Sequence, residues 1–483
     1  MIIANNPELH TPQFRVLTDA QCRDLYLASL ECLERIGVQV NNTEARELLA
    51  KAGASVDGST VRIPPQIIKD ALLQAPHTFT VWGRGGKRPM VVAPDQVHFG
   101  PGLTNPFVID PQTGEKRRSR SGDAALTARV TDALENIDYA MGLSYLADVT
   151  CDQAAVFEFA ELIANTEKPI VAWAHSPENV ALVYEIALAV AGSAEAFRQR
   201  PSFALFSTYP SPLRHTQEDL ANLLWAVERG IPVVYSGGPT VGLESPFTGA
   251  AALVIYLAGA LSGLAIVQLK QPGAPMAVSG IPSAMDLSTA RPAYGSPEMS
   301  LYSAGACDLA RYLGLPFMGT AGASESKLVD SQAAIEVSIQ IMMAALSGAS
   351  MVHDIGFLDS ANIGSLDLLV MTDEVIGMVK RMMRGIQVSP ETIMLDLIEK
   401  VGPGGQFLNA TQSAVLARKE VWVPTLMDRK PYDVWIARGG GCMEDRIRKK
   451  LQKILATHQV ESLPQEVAAK IDAILGETQA SIA

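Results

Sequence analysis

A repeating pattern of apolar runs dominates the sequence from about residue 122 onward. Each run is continuously apolar rather than alternating with polar residues, which is typical of parallel strands buried on both faces. Successive runs start roughly 30–45 residues apart, which leaves room for one crossover helix each. The seven runs begin at Ile137, Pro169, Ser202, Ile231, Ala274, Leu315 and Ala349. With an eighth strand at Gly385–Val388, the pattern predicts an α/β fold of the (β/α)8 TIM-barrel type.

An open, doubly wound sheet is the alternative architecture for the same strands and helices. Against it, no predicted strand is followed by a GxGxxG helix opening. The domain prediction has three parts: residues 1–121 form N-terminal helices and a hairpin that decorate the barrel, 122–400 form the catalytic barrel, and 401–483 form a C-terminal helical appendage. Within the appendage, Arg446–His458 is predicted to be a charged amphipathic helix.

The charge of the chain argues against nucleic-acid binding. With 39 Lys and Arg against 51 Asp and Glu, the net charge is −12. The longest basic cluster, Lys116–Arg120, is interpreted as a solvated turn after the hairpin, and binding of a phosphate backbone needs a larger basic surface. An acidic, apolar-rich chain with a C-terminal appendage also suggests a homo-oligomer.

Cysteine usage and the N-terminus favour a cytoplasmic protein. The five cysteines are isolated, with no CxxC, which fits a reducing compartment. Residues 1–10 lack the charged and apolar regions of a signal peptide. The most apolar window, Gly249–Leu269, is long enough to span a membrane, but its glycines and the turn that follows predict a buried helix and a short strand, with no membrane role.

In a barrel of this type, functional side chains lie at the carboxyl ends of the strands. Two of the seven histidines, His175 and His353, fall at such positions, and Asp354 follows His353 directly. A histidine there can bind a ligand or move a proton, or it can be a hydrogen-bonded structural residue. Asp354 can orient His353, face a ligand or cap a loop. The strand-end set also includes the hydroxyl-bearing residues Ser207, Thr208, Ser236, Ser279 and Thr320.

Aromatic residues make up only 6% of the chain, so their placement is informative. Five lie in or just beyond the strand ends: Trp173, Tyr209, Tyr235, Tyr294 and Phe357. Such a set can wall a small pocket, and aromatic faces bind quaternary ammonium groups by cation–π attraction. The alternative is that some of these rings only fill the barrel, which is favoured for Trp173.

Other chemistries have little support in the sequence. The cysteines and histidines show no short metal-ligand spacing and no HExxH, so no metal site is predicted. There is no GxSxG nucleophile motif. The glycine stretches Gly83–Lys87 and Gly402–Gln406 lack the strand–loop–helix context of a phosphate loop and are predicted to be turns.

Several segments, in order along the chain, carry a resemblance to a known family: YGSPEMSLYSAGACDLARYLGLP (Tyr294–Pro316), ESKLVDSQAAIE, ALSGASMVHDIGFLDS, VGPGGQFL and TLMDRKPYDVW. They are similar to the trimethylamine methyltransferase family of corrinoid-dependent amine methyltransferases. Founding members of that family carry pyrrolysine inside the barrel, at a position that would fall within Thr320–Glu336 here. This chain has only standard residues, so it resembles the members without pyrrolysine, such as glycine betaine:corrinoid protein methyltransferases.

The resemblance implies an α/β-barrel enzyme that moves a methyl group from a quaternary amine, glycine betaine above all, to the Co(I) of a corrinoid (cobalamin) on a partner protein. This chain itself would bind no cofactor. Because a quaternary ammonium leaves as a neutral tertiary amine, it needs no activation, and the protein's task is positioning and electrostatics. The carboxylate of a betaine would need a donor, for which His353 and Arg291 are candidates.

The predicted site residues are His353 and Asp354 as catalytic residues and, for substrate binding, Tyr209, Tyr235, His175, Arg291, Phe357 and Asp330. Two other functions stay open on the residues alone. One is a different barrel enzyme, such as a Schiff-base lyase that uses Lys270 or Lys327. The other is a non-catalytic protein that binds quaternary amines in the same pocket.

Overall fold

A curled eight-stranded sheet lies at the centre of a mixed α/β fold, and helices pack on its outer face. The computed structural model describes residues 1–103, 105–408 and 410–480. The N-terminal elements are β1 (Ile2–Ile3), α1 (Asp19–Arg35), β2 (Val38–Val40), α2 (Thr43–Lys51), β3 (Ser55–Asp57), β4 (Thr60–Arg62), α3 (Pro65–Gln74), β5 (Phe79–Val81), β6 (Met90–Val92), β7 (Gln96–Pro101), β8 (Phe107–Ile109) and β9 (Lys116–Arg118).

The long middle of the chain alternates strands and helices as the apolar runs predict. Its elements are α4 (Ser121–Ala133), α5 (Cys151–Asn165), β10 (Ile170–Ala172), α6 (Pro177–Ala191), α7 (Ala194–Gln199), β11 (Phe203–Thr208), β12 (Arg214–His215), α8 (Gln217–Glu228), β13 (Val233–Gly237), β14 (Thr240–Val241), α9 (Gly249–Lys270), β15 (Met276–Gly280), β16 (Ser283–Asp286), β17 (Arg291–Pro292), α10 (Pro297–Tyr312), β18 (Phe317–Thr320), α11 (Ser331–Ser347), β19 (Met351–Ile355), β20 (Phe357–Leu358), β21 (Ile363–Gly364) and α12 (Leu366–Met383).

The strand order of the central sheet is β1-β7-β19-β18-β15-β13-β11-β10. Only the short β1 runs antiparallel, beside β7; the other neighbours are parallel. Their registers include the pairs Val233↔Met276 and Met318↔Met351. Because all parallel strands point the same way, their carboxyl ends meet at one edge of the sheet, where the predicted functional residues lie.

The strand beside β19 differs from the prediction. Residues 385–388, expected to form it, are irregular, and β7 takes that position instead, with Met351 opposite His98. An added Cβ at Gly385 would lie 1.9 Å from the carbonyl oxygen of His10, so this residue makes a close turn against the N-terminal segment rather than entering the sheet.

Residues 138–140 lie between the two outermost parallel strands, β7 and β10. The Asp138 N–H donates to the Phe99 carbonyl at 2.6 Å, and the Ala140 N–H donates to the Pro169 carbonyl at 2.9 Å. Ala140 also forms a parallel bridge with Ile170. The first predicted apolar run, which starts at Ile137, therefore contacts both edges of the sheet although it forms only an isolated bridge.

Side chains inside the curl form one apolar cluster. It includes Val171, Ala204, Phe206, Val234, Ala277, Met318 and Met351, together with Phe79, Val81, Met90 and Val92 of the β5–β6 hairpin, which covers the amino ends of the strands. Because strand side chains alternate between faces, the residues two positions further along also point inward. At the carboxyl ends these are Ser236, Ser279, Thr320 and His353.

The apolar window that raised the membrane question is a single helix. Helix α9 runs from Gly249 to Lys270, without the short strand that was expected at its end. Within the described part of the chain, it is the one helix long and apolar enough to cross a membrane, and 78% of its most apolar window is buried inside the structure. A mostly buried helix of this kind is what the core of a soluble protein also contains.

The C-terminal elements are α13 (Pro390–Ile393), α14 (Leu395–Val401), α15 (Thr411–Glu420), α16 (Tyr432–Ala437), α17 (Met443–Thr457) and α18 (Gln465–Ala480). Helix α17 corresponds to the predicted amphipathic helix and packs between α4 and α12, with Ile447 and Leu451 buried. The Glu374 carboxylate of α12 accepts the N–H groups of Thr425, Leu426 and Met427, which fastens the segment before α16 to the core.

Candidate active site

His353 and Asp354 form a buried, hydrogen-bonded pair near the end of β19. His353 Nδ1 lies 2.7 Å from Asp354 Oδ1, and both side chains are about 95% buried. The register of β19 against β7 shifts between Val352 and Ile355, and Asp354 has a φ of +75°. A bulge and a left-handed non-glycine residue are strained features that re-aim a side chain, and they cluster at functional sites.

Asp354 is held on several sides. The Thr320 hydroxyl donates to Asp354 Oδ2, and the imidazole N–H of His353 donates to Oδ1. An added Cβ at Gly102 would lie 2.5 Å from Asp354 Oδ1 and 2.4 Å from Phe357 Cζ, so only glycine fits there. These contacts fix the carboxylate and, through it, the orientation of His353.

His353 Nε2 is buried and has no hydrogen-bond partner among the described residues. Nδ1 donates its hydrogen bond to the Asp354 carboxylate, which leaves Nε2 as the ring nitrogen without a partner. A buried polar atom left unpaired costs about 1–3 kcal/mol. Other atoms of His353 line the adjacent space.

That space is a cavity of about 350 Å³ at the carboxyl ends of the strands. It is lined by Leu103, Met141, Phe206, Thr208, Tyr209, Pro210, Ser211, Ser236, Gly237, Gly238, Thr240, Glu244, Ile281, Ser283, Pro292, Tyr294, His353, Asp354 and Phe357. We call it the strand-end cavity.

The strand-end cavity has aromatic walls. Phe206 packs against His353 with ring centroids 5.6 Å apart, and Tyr294 and Phe357 complete the lining. Burial, with the Asp354 and Glu325 carboxylates nearby, raises the pKa of Tyr294, so its phenol stays neutral. Neutral aromatic faces beside a carboxylate suit a cation that has no protons to donate.

Two carboxylates, Glu244 and Asp354, line this cavity, and no Lys or Arg of the described residues does. Glu244 lies in the loop after β14, where one of its oxygens accepts the Thr240 N–H at 2.9 Å. The cavity therefore presents acceptor and anionic groups to a ligand.

Tyr209 lines the cavity, as predicted, but its ring turns toward α9. Its hydroxyl donates to the Tyr256 carbonyl at 3.2 Å. Added Cβ atoms at Gly237 and Gly259 would lie 2.2 Å and 2.6 Å from its Cε2 atom, so both glycines make room for the ring.

Tyr235 does not line the strand-end cavity, contrary to its predicted role. It lies one residue from the inward-facing Val234 and Ser236, so its side chain is on the helix-facing side of the sheet. Its hydroxyl lies 2.8 Å from His215 Nδ1, and His215 Nε2 lies 2.8 Å from the Ser262 hydroxyl of α9. Burial lowers the pKa of His215 to about 4, so this chain of hydrogen bonds joins neutral groups.

His175 lies in a neighbouring cavity of about 480 Å³ that shares Leu103, Phe206 and Thr208 with the strand-end cavity. Its Nε2 is 3.1 Å from Cys151 Sγ, and its ring meets Trp173 edge-on at 4.7 Å. Burial lowers the pKa of His175. The structure thus places His175 beside the predicted site rather than next to His353.

Arg291 and Asp330 are also outside the strand-end cavity. The Arg291 guanidinium lies 3.5 Å from an Asp359 carboxylate oxygen. Asp330 is the N-cap of α11, where its carboxylate accepts the Ala333 N–H, which lowers the pKa of Asp330. It lines a separate cavity beside α17.

Sequence reasoning missed three features of the cavity. Phe206 lies inside a continuously apolar run, whose sequence does not tell inward from outward side chains. Glu244 follows a two-residue strand without any motif, and Gly102 is recognisable only from the atoms around it. No group of three or more His, Cys, Asp or Glu arranged to hold a metal ion is found in the residues described.

The fold and the cavity are typical of α/β enzymes, which bind small ligands at the carboxyl ends of parallel strands. The chain belongs to the trimethylamine methyltransferase (MTTB) family, whose model matches residues 2–483. This confirms the predicted family and the predicted class of enzyme, a methyltransferase.

Three relatives span nearly all of the chain. A trimethylamine methyltransferase of Methanosarcina thermophila is 32% identical over 98% of this chain and 99% of its own length. In Desulfitobacterium hafniense, a trimethylamine methyltransferase is 29% identical over 96% of this chain and 93% of its own length. A glycine betaine methyltransferase of the same species is 28% identical, with 96% and 97% covered.

A solved structure supports the fold. The crystal structure of the Methanosarcina barkeri monomethylamine methyltransferase is similar to this chain with a TM-score of 0.52 at 11% identity. The match covers 94% of this chain and 92% of that one.

Proposed function

We propose that this protein transfers a methyl group from a quaternary amine to the corrinoid of a partner protein. The observation that carries the proposal is the strand-end cavity, which is lined by aromatic rings, two carboxylates and His353, and by no Lys or Arg of the described residues. The relatives' names, trimethylamine and glycine betaine methyltransferase, support a methylated amine as the donor. Glycine betaine, the donor preferred from the sequence, stays a prediction.

The cavity suits a trimethylammonium group by size and charge. Phe206, Tyr294 and Phe357 offer ring faces, and each cation–π contact contributes about 0.5–2 kcal/mol. Glu244 and Asp354 add the opposite charge. A cation bound this way is held by electrostatics without a proton transfer, which matches a donor that carries a permanent charge.

The chemistry asks for positioning rather than acid–base catalysis. The C–N bond breaks with its electron pair left on nitrogen, so a neutral tertiary amine departs and no proton is needed. The corrinoid of the partner supplies the cobalt nucleophile that accepts the methyl group. Asp354, which is held by Thr320 and His353, and the aromatic walls position the ammonium group of the donor, and the walls exclude water.

The proposal also covers how the sheet closes into a barrel and how the chain divides into domains. Residues 137–141 would act as the eighth strand that closes a (β/α)8 barrel between β7 and β10, which fits their hydrogen bonds to Phe99 and Pro169. The division into 1–121, 122–400 and 401–483 would stand, with β7 as the part of the first region that enters the barrel. The corrinoid protein would dock over the cavity mouth, and a cytoplasmic homo-oligomer remains the expected form.

The test uses purified protein, a reduced corrinoid protein and a panel of quaternary and tertiary amines. We expect the absorption spectrum of the corrinoid to change only with an active donor, with equimolar release of the demethylated amine. An Asp354→Asn variant serves as the impaired enzyme. If no amine in the panel gives a corrinoid change or a demethylated product, the proposed function is wrong.

Neither of the two lysines considered for the Schiff-base alternative lines the strand-end cavity. The ammonium of Lys270 pairs with Glu44 and Glu228, away from the strand-end cavity, and Lys327 donates to the Glu325 carbonyl on the surface. A non-catalytic binding protein remains distinguishable, because it would bind amines in the same assay without releasing a demethylated product.

A further inference from the structure

The cavity beside the strand-end cavity, which contains His175, repeats the chemistry of its neighbour. We call this space of about 480 Å³ the His175 cavity. Four rings and two carboxylates line it: Tyr145, Trp173, His175, Phe206, Glu218 and Asp219. No Lys or Arg of the described residues lines it. The two cavities share Phe206 as a wall, so they lie side by side at the same edge of the sheet.

The rings of the His175 cavity are held in place. The Trp173 indole N–H donates to Oε1 of the buried Glu158 at 3.0 Å. The centroid of the Trp173 ring lies 5.6 Å from that of Tyr145 and 4.7 Å from that of His175, at interplanar angles of 40° and 88°. Rings that are inclined to one another can contact a cation from more than one direction.

The charge of the His175 cavity is negative. The Asp219 carboxylate accepts the Thr216 hydroxyl at 2.5 Å. Burial, together with the Glu218 charge, raises the pKa of Asp219, as expected of a carboxylate without a cation beside it. Burial lowers the pKa of His175, so its ring adds no positive charge at neutral pH. A bound cation would therefore balance charge that the described side chains leave uncompensated.

We propose that the His175 cavity is a second binding site for a methylated ammonium ion, separate from the donor site in the strand-end cavity. This inference rests on the proposed function for the class of ligand and adds a site to it. Such an ion has two sources. One is the quaternary donor, and the other is the departing tertiary amine, which, like a lysine amine, is protonated in water at neutral pH.

The test counts the ions that each chain binds, by equilibrium dialysis of the full chain without any corrinoid protein. The probes are radiolabelled tetramethylammonium, which stands for the donor, and trimethylammonium, which stands for the product. Salt at about 0.2 M suppresses nonspecific binding to the acidic surface. We expect two ions per chain at saturation with at least one probe. Two with tetramethylammonium assign the second site to the donor, and two with trimethylammonium alone assign it to the product.

Two variants assign the second ion to residues. Tyr145→Leu removes a ring and should weaken the second site at least about fivefold, whereas Tyr145→Phe keeps the ring and should retain both ions. Asp219→Asn keeps the shape of the side chain and should also weaken the second site at least about fivefold. The matched controls, Tyr432→Leu and Asp472→Asn, change exposed residues of α16 and α18 and should bind two ions. Binding of the first ion reports that each variant has folded.

The outcomes separate this inference from the proposed function. One ion per chain with both probes would show that the two spaces act as one site, and the inference would be overturned while methyl transfer in the corrinoid assay still stands. Two ions that survive both Tyr145→Leu and Asp219→Asn would also overturn it. Two ions without any demethylated product would uphold the second site and refute the proposed methyl transfer. If no methylated ammonium ion binds, both fall.

Discussion

The fit around Gly102 gives a direct test of the His353–Asp354 pair. A Cβ added at this residue would lie 2.5 Å from Asp354 Oδ1 and 2.4 Å from Phe357 Cζ, against ordinary contacts of about 3.5 Å. Gly102→Ala therefore forces a displacement of about 1 Å on a carboxylate fixed by Thr320 and His353. Overpacking of this kind costs about 1–3 kcal/mol.

The effect on catalysis should exceed the effect on stability. A 1 Å misplacement in an active site can cost about 100-fold in rate, so we expect kcat for methyl transfer to fall about 10- to 100-fold while the melting temperature falls by a few degrees. The measurement is the initial rate of corrinoid methylation at saturating partner, with donor KM from the same series.

The chain offers a matched control for this substitution. Gly122, in the first turn of α4, has no atom within 4 Å of an added Cβ, so Gly122→Ala should keep the wild-type rate and stability or slightly raise the latter. If Gly102→Ala retains wild-type kcat and KM, the geometry of the pair is not needed for the reaction and the argument fails.

Three further predictions test the scaffold around the cavity. The buried Lys168 ammonium donates to three backbone carbonyls at 2.6 Å, so Lys168→Met should lower the free energy of unfolding by about 3 kcal/mol or more. The control, Lys87→Met on the surface, should lower it by less than about 1 kcal/mol. Urea unfolding midpoints measure both losses, and equal losses would contradict the prediction. Burial raises the pKa of Glu158 from 4.5 to about 8, so the folded state holds a proton that the unfolded state releases, and stability should fall as pH rises from about 4.5 to about 8. Glu158→Gln should remove that fall in melting curves at pH 5 and pH 8.5, and an unchanged slope would refute the assignment. Tyr235→Phe should cost about 1 kcal/mol through the lost contact with His215 and leave donor affinity unchanged; a large change in affinity would place Tyr235 at the site after all.

The sequence pattern was sufficient for the parallel strands but not for the whole sheet. Six of the seven apolar runs contain strands of the central sheet, because continuous burial leaves a clear signal. Strand β7 was predicted to belong to a hairpin, because polar Gln96 and His98 alternate with Val97 and Phe99 and a loop rich in Gly, Pro and Asn follows. No local sequence feature indicates that β7 pairs with β19, which lies more than 200 residues further along the chain.

The site was harder to predict for a related reason. A strand buried on both faces shows no alternation, so its sequence does not tell inward from outward side chains. From the sequence, Tyr235 and Ser236 were equally good candidates for the inward face of the sheet. Only the packing assigns Tyr235 to the helix-facing side. His353, Asp354 and Phe357 were found because they fall at the last positions of a run or just beyond it. Glu244 comes from a loop whose path no sequence pattern specified.

The strained backbone at Asp354 connects these observations. A non-glycine residue at positive φ costs about 1–3 kcal/mol, and here the cost is offset by hydrogen bonds from Thr320 and His353. The same bonds occupy Nδ1 of the imidazole and leave Nε2 buried without a hydrogen-bond partner among the described residues. A regular strand could not aim both side chains of consecutive residues at one space, because alternation would send one of them outward. The register shift after Val352 is therefore what allows His353 and Asp354 to line the same cavity.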